Sequence, residues 1–432
     1  MNKQVKKLFL IIFSVNMEKI QIGENKEGPG LGPVESPPSA GPEAKEDNVC
    51  DQIENWDELD IKTDILRGIY AYGFEKPSEI QKKAIPSIIK GCDTIAQAQS
   101  GMGKTGTFSI ATLQQIDISK HQTQAIILAP THELAKQITT VISSLANFCD
   151  GFRVKTLIGG TSIQDDASEF QQCPPHVVVG CTGRVYDMIR RKYLNTQYIR
   201  LFVLDEADEM LSHGFKDQIY NIFQFFNSNI QVALFSATLP PDILELTDKF
   251  MRNPVRITME AEKLNLECIK QYYVALNSDN EKYDTLKDLF SVITLSQSII
   301  YCNSVRRVFD LHAAMTEEGF SVCCIHSSMT SQEREKEFSA FRVGTYRVLI
   351  SSNITARGID IQQVSTVINF DIPKCPHTYL HRIGRSGRWG RKGMAINFIT
   401  KRDIQSMREI ESYYKITIEE LPENYGANLM GI

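Results

Sequence analysis

The sequence predicts an α/β protein with two tandem domains, each built on a parallel β-sheet with helices on both faces, and a cleft between them. The chain has 432 residues, which is too long for one compact core and favours two or three domains. Short apolar runs alternate with stretches of helical period, an alternation typical of βαβ units. The same rhythm restarts after Pro254, which predicts a second domain of similar architecture.

The predicted strands form two series. The first series comprises 125–128, 154–158, 177–179, 201–204 and 232–235. The second series comprises 271–276, 298–302, 322–325, 347–350, 366–370 and 395–399. Residues 133–147 and 215–226 show helical period between strands of the first series. Because parallel strands need such crossovers, we expect each series to form one sheet.

The two series define the domain boundaries. We expect a first domain over 51–258, a linker over 259–268 and a second domain over 269–432. Residues 1–50 precede the first domain as an N-terminal extension, of which 18–50 are polar and contain several Pro, Gly and acidic residues. Such a segment cannot bury enough apolar surface to offset its chain entropy, so we expect it to be disordered.

Composition excludes some classes of protein. Hydrophobic residues make up 42% and charged residues 23% of the chain, as in an ordinary globular protein. The formal net charge of −5 argues against nucleic-acid binding through global charge alone, so any such binding needs local basic surfaces. Ten cysteines without a C-x-x-C pair predict reduced thiols in a cytosolic or nuclear protein.

The amino end imitates a secretory signal. Lysines at positions 3, 6 and 7 precede an apolar run at 8–13, but the run is short and no small-x-small cleavage site follows it. We therefore expect no working signal, and Met17 offers an alternative start. No stretch approaches the roughly 20 apolar residues that a membrane span needs.

A glycine-rich segment lies between a short strand candidate at 94–96 and a helical stretch at 107–116. It comprises Ala98, Gln99, Ser100, Gly101, Met102, Gly103, Lys104 and Thr105. In such a loop, backbone N–H groups wrap a phosphate chain at a helix N-terminus. Lys104 would add positive charge on the outer phosphates, and the Thr105 hydroxyl would bind Mg²⁺. A plain glycine-rich turn does not explain the Gly-Lys-Thr ending.

A carboxylate cluster follows the apolar run at 201–204. Seen alone, Asp205, Glu206 and Asp208 would most simply form a solvated acidic turn. Together with the phosphate loop, they predict the Mg·nucleotide site of a P-loop NTPase. We expect Asp205 to hold the metal and Glu206 to orient or deprotonate the attacking water.

Positive charge for the transition state is expected from the second domain. Residues 381–393 hold His381, four arginines and a lysine but no acid, so a solvated or RNA-contacting loop is the alternative. If Arg385 and Arg388 reach the nucleotide only when the domains close, hydrolysis is coupled to closure.

These motifs, across nearly all of 50–432, resemble the DEAD-box ATP-dependent RNA helicases of superfamily 2. Within that family the chain is most similar to the eukaryotic initiation factor 4A subfamily, which residues 66–78 and 202–211 resemble nearly letter for letter. The resemblance implies two tandem RecA-like domains, ATP with Mg²⁺ as cofactors, and RNA bound with little sequence preference.

The resemblance assigns nucleotide and coupling roles. Phe74, Pro77 and Gln81 match the Q motif, in which Gln81 reads adenine by paired hydrogen bonds. Trp56 matches the aromatic residue that stacks on the base, and Asn353 replaces an aspartate that contacts the ribose. Further roles fall on the arginine fingers Arg385 and Arg388 and on a coupling set of Asp208, Ser236, Thr238 and His381.

The resemblance also implies RNA contacts, mainly to sugar and phosphate. They fall on Pro130, Thr131, His132, Gly159, Gly160, Cys181, Thr182, Arg184, Asn303, Arg357 and Gly358. Most departures from the family pattern lie on this side. His132 and Val305 replace cations, Cys181-Thr182 replaces Thr-Pro, and Ser327-Ser328 replaces Gly-Asp. We therefore hypothesise normal ATP binding with weakened RNA binding.

The implied function is ATP-dependent RNA unwinding by a monomer, in translation initiation with scaffold and activator proteins. An exon-junction role is the competing branch within the family, and an ATP-gated RNA clamp with low turnover is the alternative class. We expect a cytoplasmic, or also nuclear, protein without membrane contact. A metabolic kinase or GTPase is disfavoured, since only the phosphate loop supports it.

Overall fold

Two parallel sheets organise the molecule, which is described here from a computed structural model. The structure describes residues 53–99, 101–211, 214–247, 249–259, 269–292, 297–356, 364–386 and 393–422. Both sheets have seven strands and every strand pairing in them is parallel. The predicted fold class is confirmed. The predicted extension at 1–50 and nearly all of the predicted linker at 259–268 lie outside the described residues.

The first sheet contains seven strands in the order β3-β4-β2-β5-β6-β1-β7. Its strands are β1 (Thr94–Gln97), β2 (Ala125–Leu128), β3 (Val154–Leu157), β4 (Val177–Gly180), β5 (Leu201–Asp205), β6 (Gln231–Ser236) and β7 (Val255–Thr258). Its helices are α1 (Thr63–Ala71), α2 (Glu79–Ile89), α3 (Lys104–Gln115), α4 (His132–Leu145), α5 (Ile163–Gln172), α6 (Thr182–Arg190), α7 (Ala207–Met210), α8 (Lys216–Phe223) and α9 (Pro241–Thr247). A 3₁₀ turn, Trp56–Glu58, precedes them.

The second sheet repeats this plan in the order β10-β11-β9-β12-β13-β8-β14. Its strands are β8 (Ile269–Ala275), β9 (Gln297–Tyr301), β10 (Val322–Ile325), β11 (Val348–Ser351), β12 (Val364–Asn369), β13 (Gly393–Ile399) and β14 (Glu419–Glu420). Its helices are α10 (Glu281–Val292), α11 (Val305–Glu317), α12 (Ser331–Arg342), α13 (Pro376–Ile383) and α14 (Ile404–Tyr414).

The central strands are buried on both faces. In β2, Ala125 and Ile127 pack into one hydrophobic cluster, whereas Ile126 and Leu128 pack into a second cluster across the sheet. This is why the sequence shows continuous apolar runs there instead of an alternation of apolar and polar residues. None of the helices in the described ranges combines the length and apolar character that a membrane-crossing helix needs.

Candidate nucleotide site and domain interface

The phosphate loop joins β1 to α3 at the carboxyl edge of the first sheet, where ligands of parallel sheets bind. Gly101 and Gly103 have φ values of 88° and 96°, which a residue with a Cβ rarely adopts. A Cβ added at Gly103 would also lie 2.9 Å from Ser78 Oγ. Ala98, Gln99 and Met102 are placed in this loop, whereas Ser100 lies outside the described residues.

Lys104 is the first residue of α3 and is only 6% exposed. Its nearest carboxylate oxygen, Glu206 Oε1, is 3.9 Å away, and its Nζ makes no hydrogen bond to the described residues. The Gln99 Nε2 atom is likewise buried without such a bond. Buried donors without acceptors are costly, so both side chains fit a ligand with acceptor oxygens, such as a phosphate chain.

Two acids stand at the end of β5. Asp205 is 2% exposed and its Oδ1 accepts a hydrogen bond from the Glu206 N–H at 2.9 Å. Glu206 has a left-handed backbone, φ 50° and ψ 54°, an uncommon conformation that redirects the chain after the strand. Burial, and then the charge of Glu206, raise the pKa of Asp205 to about 7, while Lys104 opposes this rise.

This arrangement fits a divalent cation. Two neighbouring buried carboxylates face one lysine, and a cation would compensate their mutual repulsion. Asp205 and the half-buried Thr105 would hold it, as the sequence predicts. Such an ion supplies Lewis-acid stabilisation of charge on phosphate oxygens.

Asp208 connects three elements by buried hydrogen bonds. Its Oδ1 accepts from Ser236 Oγ at 2.8 Å, and its Oδ2 accepts from Thr238 Oγ1 at 2.9 Å. Across the cleft, His381 Nε2 of the second domain lies 2.9 Å from the same Oδ2. The four residues of the expected coupling set are therefore joined through Asp208, and they link α7, β6 with its following turn, and α13.

Glu206, Asp208 and His381 also form a cluster of ligand-type atoms, all within 4.8 Å of one another. Both carboxylate oxygens of Asp208 and the Nε2 of His381 already take part in the hydrogen bonds described above. We therefore read the cluster as part of a hydrogen-bonded network between the domains.

The Q-motif residues pack against the phosphate loop. Gln81 Oε1 accepts from the Ser78 N–H at 2.8 Å, and Gln81 Nε2 lies 3.5 Å from the Gly103 carbonyl oxygen. A Cβ at Gly106 would collide with Gln81 at 2.8 Å and with Phe74 at 2.9 Å. In this structure the Gln81 amide therefore braces the loop, and its predicted reading of adenine stays a prediction. Pro77 is buried beside it.

The role expected for Trp56 is corrected. Its side chain is 0% exposed and belongs to the hydrophobic core of the first domain, so no ring face is open to a base. Its indole Nε1–H donates to the Phe74 carbonyl at 3.1 Å. Trp56 therefore holds the backbone of Phe74 in place through this hydrogen bond. Phe74 is half-buried and packs edge-on against Tyr72.

In the second domain, sequence reasoning missed Arg382. This guanidinium is 0% exposed, and burial lowers its pKa to about 10. It donates to the Asn303, Asn353 and Asn369 side-chain oxygens and to the Asp371 carbonyl. Arg382 lies in the basic segment 381–393, and the sequence of that segment does not show which arginine is structural and which is catalytic.

The predicted arginine fingers and the ribose contact have different outcomes. Arg385 is 3% exposed, and its Nε donates to the His381 carbonyl at 3.2 Å, next to the domain interface. Arg388 lies outside the described residues. Asn353 is exposed, and its Oδ1 accepts from Arg382 at 2.9 Å, so the amide oxygen is engaged within the protein.

On the RNA side of the first domain, Thr131 is the N-cap of α4, and its side chain accepts from the Leu134 N–H at 3.2 Å. Pro130 precedes it, and both are half-buried. Gly159 is so close to the ring of His132 that an added Cβ would lie 3.4 Å from Nε2. Burial, reinforced by Arg334, Lys136 and Arg184 against the opposing charge of Glu133, lowers the pKa of His132. The imidazole is therefore neutral at neutral pH.

Two other predicted RNA contacts, Arg184 and Thr182, are hydrogen-bonded within the protein. Arg184 donates to Thr161 Oγ1 at 2.9 Å and to Asp166 Oδ2 at 2.6 Å, and its side chain is 8% exposed. This holds the turn that contains Gly160, whose φ is 84°. Thr182 is buried and donates to Gln218, and Cys181 is half-buried. Arg357 and Gly358 lie outside the described residues.

Two further ion pairs join the domains, and sequence reasoning did not find them. Arg334 Nη1 lies 3.0 Å from Glu133 Oε1, and Lys136 Nζ lies 2.5 Å from Glu335 Oε2. Nothing in the linear sequence brings α4 and α12 together. Their positions follow only from the packing of one domain on the other.

The site and fold together define a two-domain, P-loop nucleotide-binding protein whose site is completed across a cleft. Comparison with known proteins agrees. Residues 78–246 match the DEAD/DEAH box helicase family, and residues 281–390 match the helicase conserved C-terminal domain. The chain is 52% identical over 379 residues to the ATP-dependent RNA helicase eIF4A of Pyricularia oryzae, covering 88% of this chain and 95% of that protein.

Solved structures show the same likeness. Saccharomyces cerevisiae Dbp5 bound to RNA and ADP BeF3 matches with a TM-score of 0.82 at 35% identity, over 88% of this chain and 98% of that one. A Dbp5 variant bound to Gle1 and IP6 matches with a TM-score of 0.74 at 34% identity, over 88% and 99% of the chains. The chain therefore belongs to the DEAD-box ATP-dependent RNA helicases, in the eIF4A group.

Proposed function

We propose that this chain couples ATP hydrolysis to RNA binding and to local unwinding of RNA duplexes, in translation initiation. The network around Asp208 carries the proposal. One carboxylate receives hydrogen bonds from β6 and its following turn and lies against His381 of the second domain. Asp208 lies two residues after Glu206. A change at the γ-phosphate and the closure of the domains would therefore both act on the Asp208 carboxylate.

The residues of the chain divide the reaction among them. Lys104 and the loop backbone would hold the phosphates, and Asp205 with Thr105 would hold Mg²⁺. Glu206 would orient and deprotonate the attacking water, for which its buried position 3.9 Å from Lys104 is suitable. Arg385 would enter from the second domain on closure and stabilise the charge of the transition state.

Contacts across the cleft support a closed arrangement of the two domains. His381 Nε2 of the second domain lies 2.9 Å from Asp208 Oδ2 of the first. The Arg334–Glu133 and Lys136–Glu335 pairs hold the domains together in this arrangement. We infer that ATP and single-stranded RNA stabilise it and that phosphate release opens it.

The test is steady-state ATPase activity with and without single-stranded RNA, followed by unwinding of a short duplex under saturating ATP. We expect RNA to stimulate hydrolysis and ATP to drive strand separation. An ATPase rate that is the same with and without RNA, together with a duplex that stays intact in ATP, would contradict the proposal.

An ATP-gated RNA clamp with low turnover is the second candidate. The altered RNA side permits it, because a neutral His132 and the pairing of Arg184 with Asp166 leave fewer cations through which RNA could stimulate hydrolysis, so turnover would be low. A clamp would hold RNA stably in ATP but leave a short duplex intact. Exon-junction assembly would be its setting, and pull-down of junction proteins instead of a translation scaffold would identify it.

Partners and location are part of the same proposal. Relatives named eIF4A suggest translation scaffold and activator proteins, and a Dbp5 variant has been solved with Gle1, another protein. We propose a cytoplasmic, also nuclear, protein that acts as a monomer. Fractionation and size-exclusion chromatography of the native protein test these two points.

A further inference from the structure

An exposed aromatic side chain lies on α11, near the carboxyl edge of the second sheet. Phe309 is 49% exposed, and its ring packs on the ring of His326, with centroids 4.2 Å apart and planes at 50°. His326 directly follows β10 and is 3% exposed, and its Nδ1 makes no hydrogen bond to the described residues. The phenyl ring is therefore supported by a buried ring while about half of its surface is open.

A cation accompanies this ring pair. Arg306 lies three residues before Phe309, so both side chains project from the same face of α11. The Arg306 side chain is 92% exposed and has one distant ion pair, 3.9 Å from Asp310 Oδ2. Arg307, by contrast, is committed to Asp279 at 2.8 Å and to Asp371 at 3.3 Å. Arg306 is thus the arginine of this pair that can take an anionic ligand.

The patch formed by Arg306, Phe309 and His326 adjoins the seam between the domains. Residues after β9 and β10 stand at the carboxyl edge of the sheet, where parallel α/β sheets bind ligands. Helix α12 follows β10, and its Arg334 pairs with Glu133 of the first domain at 3.0 Å. The patch therefore lies near α12, whose Glu333 and Arg334 act electrostatically on His326.

The charges around His326 favour an uncharged stacking surface. Burial lowers the pKa of His326, Arg334 and His312 lower it further, and Glu333 opposes them, so the ring is neutral at neutral pH. The next two residues, Ser327 and Ser328, are exposed and carry no charge. Val305, at the start of α11, supplies no cation, whereas the neighbouring Arg306 is a highly exposed one.

We propose that Phe309, resting on His326, stacks on one unpaired base of a bound single-stranded RNA, and that Arg306 binds a neighbouring phosphate. The proposal rests on the proposed function, because it assigns a contact to its RNA substrate. An aromatic ring beside an exposed arginine is a combination by which proteins bind single-stranded nucleic acids, and stacking on the ring tolerates any base. Stacking would then supply part of the RNA affinity that is missing because neither His132 nor Val305 is a cation.

The test compares Phe309→Ala and Phe309→Trp with the wild-type full chain. Binding of a fluorescent oligouridylate is measured with a non-hydrolysable ATP analogue and Mg²⁺. We expect Phe309→Ala to weaken binding about ten-fold and Phe309→Trp to bind as the wild type does, with a Trp fluorescence change on binding. Tyr413→Ala, at a 54% exposed aromatic on α14, is the matched control and should bind normally.

Abasic RNA separates stacking from a general surface effect. Removing the bases one at a time should expose one position at which the wild type loses affinity and Phe309→Ala does not. Equal affinity of wild type and Phe309→Ala, or equal loss by both at every abasic position, overturns the proposal. If Phe309→Ala instead loses only capture of a protein partner, the surface binds protein. If the wild type itself does not bind RNA, the proposed function fails as well.

Discussion

The nucleotide site and the RNA side differ in how their polar side chains are bonded. In the nucleotide site, Lys104 Nζ and Gln99 Nε2 are buried without hydrogen-bond partners among the described residues. On the RNA side, Arg184 and Asn303 form hydrogen bonds to other residues of the protein. The first arrangement is costly until a ligand supplies acceptors. The second is stable without any ligand. The nucleotide side thus leaves side-chain donors open for a ligand, while Arg184 and Asn303 on the RNA side hold the loops around them.

The sharpest test of this contrast is Glu206→Gln. The change keeps the size of the side chain but removes the base expected to activate water, so ATP hydrolysis should fall by roughly 10²–10⁴-fold. Single-turnover hydrolysis measures this effect, and binding of a fluorescent ATP analogue should persist. Glu209→Gln, on the short helix α7 that Glu206 precedes, is the control and should hydrolyse ATP normally. Activity of Glu206→Gln within a few-fold of wild type would remove Glu206 from the chemistry.

Arg184→Ala tests the RNA side. If Arg184 is structural, removing it leaves Asp166, which is 4% exposed, with Lys155 as its remaining cation, and unfolding free energy should drop by about 3 kcal/mol. Urea denaturation measures the change. Arg191→Ala removes an exposed pair with Asp187 and should cost less than about 1 kcal/mol. An Arg184→Ala protein with unchanged stability but weaker RNA binding would return Arg184 to the set of RNA contacts.

The extent to which sequence predicted this molecule differs between the two sides. The residues of the phosphate loop are neighbours in the sequence, and so are the acids at the end of β5. Each motif can therefore be recognised from the sequence alone. The two-sheet fold was predictable because strands buried on both faces give continuous apolar runs. Trp56 was misassigned because a motif position does not reveal burial. Arg382 and the Arg334–Glu133 pair were missed because their partners are distant in sequence and meet only in the folded protein.

Ser236→Ala tests whether the two sides communicate through Asp208. The Oδ1 atom of Asp208 would lose the donor now at 2.8 Å, and a buried carboxylate oxygen would be left less satisfied. We expect duplex unwinding to fall about ten-fold while basal ATP hydrolysis changes little. Strand separation and ATPase activity are measured on the same preparation. Parallel loss of both activities would show that Ser236 supports the nucleotide site and not the coupling.

Ser109→Ala provides the control for this experiment. Ser109 is a buried serine of α3 whose hydroxyl makes no hydrogen bond to the described residues. Its removal should leave both activities near the wild-type values.

The smallest expected effect concerns His132, where a family arginine would carry a permanent charge. His132→Arg adds one cation, so the slope of log affinity for single-stranded RNA against log salt should steepen by about 0.7. Burial holds the pKa of His132 below its ordinary value, so the wild-type ring gains its proton only in acid. An RNA phosphate favours the protonated ring, and wild-type affinity should therefore rise only as the pH falls below about 6.5, the ordinary histidine value, because the pKa of His132 lies lower still. His132→Arg is charged throughout and should lack that part of the pH dependence. Identical salt slopes and pH profiles for the two proteins would show that the side chain at position 132 does not face RNA.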